Sequence, residues 1–294
     1  MRSNMLYSSL TALFMSLHSY AALTQVSDWG ENPTNLEMAI SLPSSLAEQP
    51  AIVLALHYCG GTGPAYYQMA NYDTYANAGG FIVVYPTTRK DSNCWDVASD
   101  ATLTNNGGGD STGLVNMVKY LITKYNADPA KVYATGSSSG CMMTNVLLAV
   151  YPDVFAAGSC YSGVAAGCFA GSPGSSPTSA NQTCANGQNI HTSEEWAEQV
   201  KAMYPDFSGP YPRMQTLHGT ADFFVHYENL GEQLKEWSAL LGVEFTKNVT
   251  NTPQSGYTQI VYGDGTKLVG YSAENVGHTV PVHPELDMQW FDLA

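Results

Sequence analysis

Basic side chains are scarce in this sequence. It has 11 lysines and arginines against 25 aspartates and glutamates, which gives a net charge of -14 at pH 7. Nucleic acids and anionic membranes attract clustered positive charge, so we expect neither as a partner. Charged residues of both signs make up only 12% of the chain, whereas Gly, Ser, Thr, Asn and Tyr are plentiful. This composition is typical of secreted proteins that act on neutral polymers, and it supports an extracellular location.

Motifs for metal ions and nucleotides are missing as well. The sequence contains neither Cys-x-x-Cys nor His-Glu-x-x-His, and its histidines do not cluster at ligand spacing. We therefore expect no metal site. It also lacks Gly-x-Gly-x-x-Gly and a Gly-Lys-Ser/Thr ending, so a nucleotide-phosphate loop is not expected.

Residues 1–21 have the pattern of a secretory signal peptide. Arg2 precedes an apolar stretch around Leu10 to Leu17, and Ser19-Tyr20-Ala21 forms a small-residue cleavage site. The apolar stretch is too short to span a bilayer, and no later run is long enough. Removal of residues 1–21 takes away one positive charge and no acid, so the net charge changes from -14 to -15. Residues 22–294 suit a single α/β catalytic domain.

Cysteines and glycosylation sequences fit a secreted chain. Six cysteines in such a chain indicate disulfide bridges rather than free thiols, although the sequence alone does not choose among the possible pairings. Asn181 and Asn248 each begin an Asn-x-Thr sequence and are candidate glycosylation sites. The pairing we expect is Cys59 with Cys94, Cys141 with Cys160, and Cys168 with Cys184.

Apolar runs alternate with helical patterns along the chain, which predicts a mostly parallel sheet covered by helices on both faces. The stretch 162–190, where a lipase would carry an apolar lid, is instead rich in Gly, Ser, Pro and Asn. We read it as an ordered loop and expect no large lid. The predicted strands are an edge strand over 37–42, buried strands over 51–56, 81–85, 132–134, 155–161 and 213–219, and a hairpin over 257–262 and 267–272. The predicted helices lie around 110–125, 139–150, 192–203 and 230–241.

The strongest motif is Gly136-Ser137-Ser138-Ser139-Gly140. It lies between a predicted strand and a predicted helix, the context of a nucleophile elbow. Such a turn strains the serine backbone and exposes Oγ at the top of a sheet, and side chains in place of the two glycines would crowd it. We predict that Ser138 is the nucleophile of a serine hydrolase.

An acid and a base follow in the chain order of this fold. Asp222 comes just after the strand 213–219, and His278 follows the hairpin. We predict that His278 takes the proton of Ser138 and that Asp222 orients the imidazole and stabilises the imidazolium.

Other acids and histidines fit these roles less well. His226 is only four residues beyond Asp222, His283 lies where the chain turns away, and Glu228 falls inside a helix. The remaining histidines in the body of the chain are expected to be structural, although two of them adjoin the predicted site. These are His57, His191 and His218.

A glycine-rich loop, His57–Gly63, follows the strand 51–56. Hydrolases of this type place the second oxyanion donor in such a loop, although an ordinary tight turn would have the same composition. The predicted oxyanion hole consists of the backbone N–H groups of Cys59 and Ser139.

Six stretches carry motifs that are specific in combination: His57–Gly63, Asn93–Val97, Gly108–Ser111, Gly136–Met143, His218–Asp222 and Gly277–Pro281. Together they resemble carbohydrate esterase family one, most of all its fungal secreted acetylxylan esterases, with feruloyl esterases and polyhydroxyalkanoate depolymerases as relatives. The resemblance covers nearly the whole mature chain. It implies an α/β-hydrolase fold without a cofactor and the same three catalytic residues. Cys141 and Cys160 depart together from the small residues expected in the family, consistent with an added bridge.

The function expected from these features is removal of acetyl groups from acetylated xylan by a monomeric secreted esterase. Release of ferulate from arabinoxylan is the alternative, and a non-catalytic glycan-binding relative is the candidate from another class. In each case the partner is a plant cell-wall polysaccharide. The aromatic residues Tyr58, Tyr66 and Trp95 either line a sugar groove or belong to the core.

Overall fold

The predicted strands form one mixed sheet in a computed structural model that describes residues 23–294. The predicted signal peptide lies outside these residues. Within them the sheet has ten strands, in the order β1-β2-β4-β3-β5-β6-β7-β10-β9-β8. The strands are β1 Thr24–Val26, β2 Glu37–Ser41, β3 Ile52–Leu56, β4 Ile82–Thr87, β5 Val132–Ser137, β6 Ala157–Tyr161, β7 Arg213–Gly219, β8 Phe245–Thr250, β9 Tyr257–Tyr262 and β10 Leu268–Ala273.

The six central strands, β4, β3, β5, β6, β7 and β10, run parallel to one another, and the outer strands pair antiparallel. This is the predicted mostly parallel sheet. The expectation that residues 37–42 form an edge strand is wrong, because β1 pairs with β2 on its outer side. At the opposite edge lies β8, a strand the sequence analysis did not predict.

Helices cover both faces of the sheet. Within residues 23–294, α3, α4, α6 and α7 accompany the larger apolar core, and α1, α2 and α8 pack over the smaller one. The fold is an α/β-hydrolase fold. The helices are α1 Gly63–Ala70, α2 Tyr72–Gly79, α3 Asp110–Tyr125, α4 Ser139–Val150, α5 Gln182–Ala185, α6 Ser193–Met203, α7 Glu228–Leu241 and α8 Pro284–Trp290. No helix in this part of the chain has the length and apolar character needed to cross a bilayer.

Between β6 and α6 the chain forms a long loop that contains only the four-residue helix α5. The start of α6 is the predicted capping box, in which the Thr192 hydroxyl accepts from the Glu195 amide and the Glu195 carboxylate accepts from the Thr192 amide. The three disulfide bridges join the pairs expected from the sequence: Cys59 with Cys94, Cys141 with Cys160, and Cys168 with Cys184.

One carboxyl group fastens α8 to the sheet. Asp287 is fully buried and accepts hydrogen bonds from the hydroxyls of Tyr72 at 2.6 Å and Tyr161 at 2.7 Å, and from that of Ser159. Burial raises the pKa of Asp287 to about 6, and these hydrogen bonds offset only part of that rise.

Candidate active site

Ser138 occupies a strained turn between β5 and α4. Its backbone has φ 54° and ψ -117°, a conformation that costs free energy for a residue with a side chain. The flanking glycines allow the turn, since a Cβ on Gly136 would lie 2.5 Å from the carbonyl carbon of Gly140, and one on Gly140 would lie 2.1 Å from the Leu56 oxygen. The Ser138 amide donates to the Tyr161 oxygen at 2.7 Å, which fastens the turn to β6. The predicted nucleophile elbow is therefore present in the structure.

The other two predicted residues meet Ser138 above the sheet. His278 Nε2 lies 2.8 Å from Ser138 Oγ, and His278 Nδ1 lies 2.8 Å from Asp222 Oδ2. The loops that carry Asp222 and His278 touch each other, because the Ala221 amide donates to the Val276 oxygen at 2.9 Å. These contacts form one chain from hydroxyl to imidazole to carboxylate.

The protonation of these three hydrogen-bonded side chains follows from the donors around Asp222. Burial by itself would raise the pKa of Asp222, but hydrogen bonds from His218, His278 and the Val225 amide hold it well below its usual range. The carboxylate is thus ionised and can only accept. His278 Nδ1 must then carry the proton, which leaves the Nε2 lone pair free to accept from the Ser138 hydroxyl.

Both oxygens of the Asp222 carboxylate are occupied. Oδ1 accepts from the amides of Phe224 and Val225, each at 2.9 Å. Oδ2 faces two imidazoles, His278 Nδ1 at 2.8 Å and His218 Nε2 at 3.2 Å. The second imidazole was expected only as a structural neighbour, because no pattern in the sequence indicates which atom of Asp222 it reaches.

The glycine-rich loop lies beside Ser138. Among residues 23–294, neither the Cys59 amide nor the Ser139 amide donates to another protein group. Cys59 lines the cavity next to Ser138, and Ser139 is the first residue of α4, where helix amides are unpaired. The Ser139 hydroxyl accepts from the Trp95 amide at 2.8 Å, so α4 also holds the segment that contains Cys94.

A left-handed turn supports this loop. Asp91, Ser92 and Asn93 have φ values of 44°, 61° and 57°, respectively, a run of positive φ that is costly for residues other than glycine. The turn is held to the loop by two hydrogen bonds, from the Gly60 amide to the Ser92 oxygen and from Asn93 Nδ2 to the Gly61 oxygen, each 2.9 Å. Strain of this kind is often found near active sites.

Asp91 also holds one wall of the site. Its carboxylate accepts from the amides of Ser175 at 2.7 Å and Ser176 at 2.8 Å, and from the Ser179 hydroxyl at 2.8 Å. Ser175 and Ser176 line the cavity beside Ser138. Asp91 therefore connects the cavity wall with the glycine-rich loop, a role that the sequence analysis missed.

The cavity at Ser138 has a volume of about 730 Å³. Ser138 and His278 form part of its lining, and most of the remaining side chains are apolar. Sequence reasoning found few of these residues, because they come from loops without a periodic pattern. The larger apolar members include Tyr58, Met69, Met142, Tyr161, Phe169 and Phe224.

Of the three aromatic residues considered for a sugar groove, only Tyr58 lines the cavity. Trp95, a candidate for substrate binding, belongs to the core instead, because its ring is fully buried and its Nε1–H donates to the His57 oxygen at 2.8 Å. Tyr66 is also fully buried, with its hydroxyl 3.0 Å from Ser137 Oγ.

The alternative histidines lie outside the triad. His283 Nε2 pairs with the Tyr257 hydroxyl at 3.2 Å, and the His226 amide donates to the Ala185 oxygen. His57 donates from Nδ1 to the Tyr58 oxygen, and burial lowers its pKa to about 4, so it is neutral. Its role is structural, as expected.

Two further predictions concern metal ions and glycans. Within the described part of the chain, no three His, Cys, Asp or Glu side chains are grouped so as to hold a metal ion. Asn181 and Asn248 are both exposed, so each sequon is accessible to modification.

Known proteins share much of this sequence. The family model for esterase PHB depolymerase matches residues 36–184. The chain is 52% identical to feruloyl esterase B of Neurospora crassa, over 93% of each chain. It is 47% identical to acetylxylan esterase A of Aspergillus ficuum, over 97% of this chain and 96% of the relative. The chain belongs to carbohydrate esterase family one.

The solved structure of the acetyl xylan esterase from Aspergillus awamori superimposes on this carbohydrate esterase with a TM-score of 0.87. It has 48% sequence identity and covers 93% of this chain and all of its own. These relatives are all carboxylic ester hydrolases by name, and the present family member is one too.

Proposed function

We propose that this chain is a secreted serine esterase that hydrolyses acyl esters on xylan through Ser138, His278 and Asp222. The observation that carries the proposal is the hydrogen-bonded chain from Ser138 Oγ through His278 to Asp222 Oδ2, with 2.8 Å at each step, beside an apolar cavity. The signal-peptide pattern and the three disulfide bridges support secretion.

The reaction proceeds in two halves. Ser138 Oγ attacks the ester carbonyl while its proton passes to His278 Nε2, and Asp222 stabilises the resulting imidazolium. His278 then gives that proton to the sugar oxygen as the bond between this oxygen and the acyl carbon breaks, which leaves an acyl-enzyme. A water molecule, deprotonated by His278, releases the carboxylic acid and restores the Ser138 hydroxyl.

The negative charge on the tetrahedral intermediate is stabilised by two amides. We assign this role to the N–H groups of Cys59 and Ser139, which have no acceptor within residues 23–294. Ser139 also begins α4, so the positive end of the helix dipole adds to the stabilisation. One such donor is typically worth about a hundredfold or more in rate.

Two acyl groups are candidates for the part of the substrate that the enzyme removes. Acetyl removal from xylan is the first candidate, supported by the similarity to acetylxylan esterase A of Aspergillus ficuum. Ferulate release is the second candidate, and the cavity favours it. A volume of about 730 Å³ lies within the range of about 300–1,000 Å³ that holds drug-sized ligands, whereas an acetyl group is only a carbonyl and a methyl. An apolar lining with Phe169 and Phe224 suits an aromatic acyl group.

Parallel assays of acetate release from acetylated xylan and ferulate release from feruloylated arabinoxylan test this proposal. The wild type should release at least one acid, and Ser138→Ala should release neither. Ser238→Ala, a matched change on α7, should behave as the wild type. A higher kcat/KM for feruloylated substrate would replace the first candidate with the second. Release of neither acid by the wild type would overturn the proposed substrate class.

A further inference from the structure

His218 brings a second imidazole to the carboxylate of Asp222. It is the penultimate residue of β7 and is completely buried. Its Nε2 lies 2.8 Å from the Val225 oxygen and 3.2 Å from Asp222 Oδ2, whereas its Nδ1 has no hydrogen-bond partner within residues 23–294.

These contacts determine the protonation of the ring. A backbone carbonyl and an ionised carboxylate only accept hydrogen bonds, so His218 Nε2 must carry a proton. A second proton on Nδ1 would be a buried donor without an acceptor, and such donors are rarer in folded proteins than under-satisfied acceptors. The ring is therefore the neutral Nε2–H tautomer.

A neutral donor has a specific advantage at this position. Asp222 must remain ionised to stabilise the imidazolium of His278, and a second cation beside it would weaken that stabilisation. The Nε2–H of His218 donates chiefly to the Val225 oxygen at 2.8 Å, and the same polarised N–H attracts Asp222 Oδ2 at 3.2 Å without neutralising its charge. The ring also bridges Asp222 to Val225, so both ends of the turn that carries the acid are tied to β7.

The remaining contacts of the carboxylate show why a second donor matters. The amides of Phe224 and Val225 both bind Oδ1, so they fix one oxygen and leave the carboxylate able to swing about it. Oδ2 is the oxygen that orients His278, and His218 is the second side chain that contacts it. Loss of His218 would leave the position of Oδ2 to His278 alone.

We propose that His218 is a positioning residue for this esterase, which holds Asp222 Oδ2 in line with His278 Nδ1 through a neutral Nε2–H donor. The inference rests on the proposed role of Asp222 as the acid of the triad. His218 itself touches neither the substrate nor Ser138.

Two substitutions separate positioning from packing. His218→Leu removes the donor, and we expect kcat on a soluble aryl ester to fall by about ten- to a hundredfold with little change in KM, as for other small misplacements of catalytic groups. His218→Gln places an amide N–H near the former Nε2 and should restore most of kcat. The control His283→Leu removes another imidazole hydrogen bond and should lower only the melting temperature.

The pH profile adds a readout that packing would not move. A loosely held carboxylate stabilises protonated His278 less, so the acidic limb of kcat/KM should move to lower pH in His218→Leu and stay in place in His218→Gln. Equal kcat in wild type and His218→Leu, or equal losses in the Leu and Gln variants, would overturn the inference.

Nitrogen NMR of histidine-labelled wild-type protein provides a test that does not depend on the folding of any variant. We expect His218 to be the Nε2–H tautomer in the active enzyme, and the Nδ1–H tautomer or a doubly protonated ring would refute the inference. Asp222→Asn is assayed in parallel. Full activity of Asp222→Asn would refute the proposed triad itself, whereas an inactive Asp222→Asn beside a fully active His218→Leu would refute only the role of His218.

Discussion

Replacement of Asp222 by asparagine should prevent His278 from acting as the base, although the side chains of Ser138 and His278 both remain in the site. In the wild type, Oδ1 of this residue accepts two backbone amides, from Phe224 and Val225. An asparagine must keep its single oxygen at that position, because an NH₂ group there would face two donors. Its NH₂ group then points at His278 Nδ1, where Oδ2 stood. The imidazole must accept through Nδ1, so its proton moves to Nε2, which can no longer take a proton from Ser138.

The size of the effect follows from the loss of the working tautomer. The equivalent change in a Ser-His-Asp triad lowers kcat by about 10⁴-fold, or about 5 kcal/mol at 1.36 kcal/mol per tenfold change in rate. We expect a loss of this order in Asp222→Asn, measured as kcat on a soluble aryl ester, with KM changed much less. The melting temperature should show that the variant is folded.

A matched control is Asp264→Asn, the same change in an exposed turn where the carboxylate accepts hydrogen bonds from the amide and hydroxyl of Thr266. It should retain wild-type kcat. A folded Asp222→Asn with kcat within about tenfold of the wild type would refute the reasoning, since the carboxylate would then not be setting the tautomer.

Three further predictions concern the surrounding structure. Gly219→Ala should lower kcat at least tenfold, because the new Cβ would lie 2.2 Å from the Val276 oxygen and displace the loop that carries His278. Asp287→Asn should remove a pH dependence of stability. The pKa of Asp287 is 3.8 in the unfolded chain and about 6 in the folded protein, so between these values only the folded protein keeps the proton. Wild-type stability therefore falls as the pH rises through this window, by at most about 3 kcal/mol. Asp91→Ala should lower the free energy of unfolding by about 2 kcal/mol, because the donors of Ser175, Ser176 and Ser179 lose a charged acceptor.

These predictions are checked by steady-state kinetics for the glycine and by urea unfolding for the two aspartates. The control for Gly219 is Gly231→Ala in α7, where a Cβ would lie within 4 Å of no atom of residues 23–294 beyond its chain neighbours and its own helix backbone. It should leave kcat unchanged and add about 1 kcal/mol of stability. Equal pH slopes in wild type and Asp287→Asn would contradict the burial argument. Unchanged unfolding of Asp91→Ala would show that its hydrogen bonds add no net stability.

Features marked by a local sequence motif, or by the order of residues along the chain, could be predicted from the sequence. Ser138, Asp222 and His278 were predicted because each comes directly after a recognisable strand and in the chain order of this fold. The elbow also required glycines at two close approaches, and the sequence supplies both. The disulfide pairing agreed as well, although spacing alone did not select it.

Features that depend on long-range packing could not be predicted. The strand β8 escaped prediction because nearly all of its residues are exposed, so no alternation marks it. The sequence left open whether Trp95 lines a groove or belongs to the core, because its ring packs against His57 and donates to the His57 oxygen, on a distant segment. The contact of His218 with Asp222, and that of Asp91 with the cavity wall, depend on how loops pack above the sheet.

The central claim is that Ser138 is a nucleophile activated by His278. Reaction with a fluorophosphonate, followed by mass spectrometry of the digested protein, tests it most directly. The adduct should form on the peptide that contains Ser138, should be absent in Ser138→Ala, and should form much more slowly in His278→Ala. An adduct on another residue, or equal labelling rates in the wild type and His278→Ala, would contradict the account.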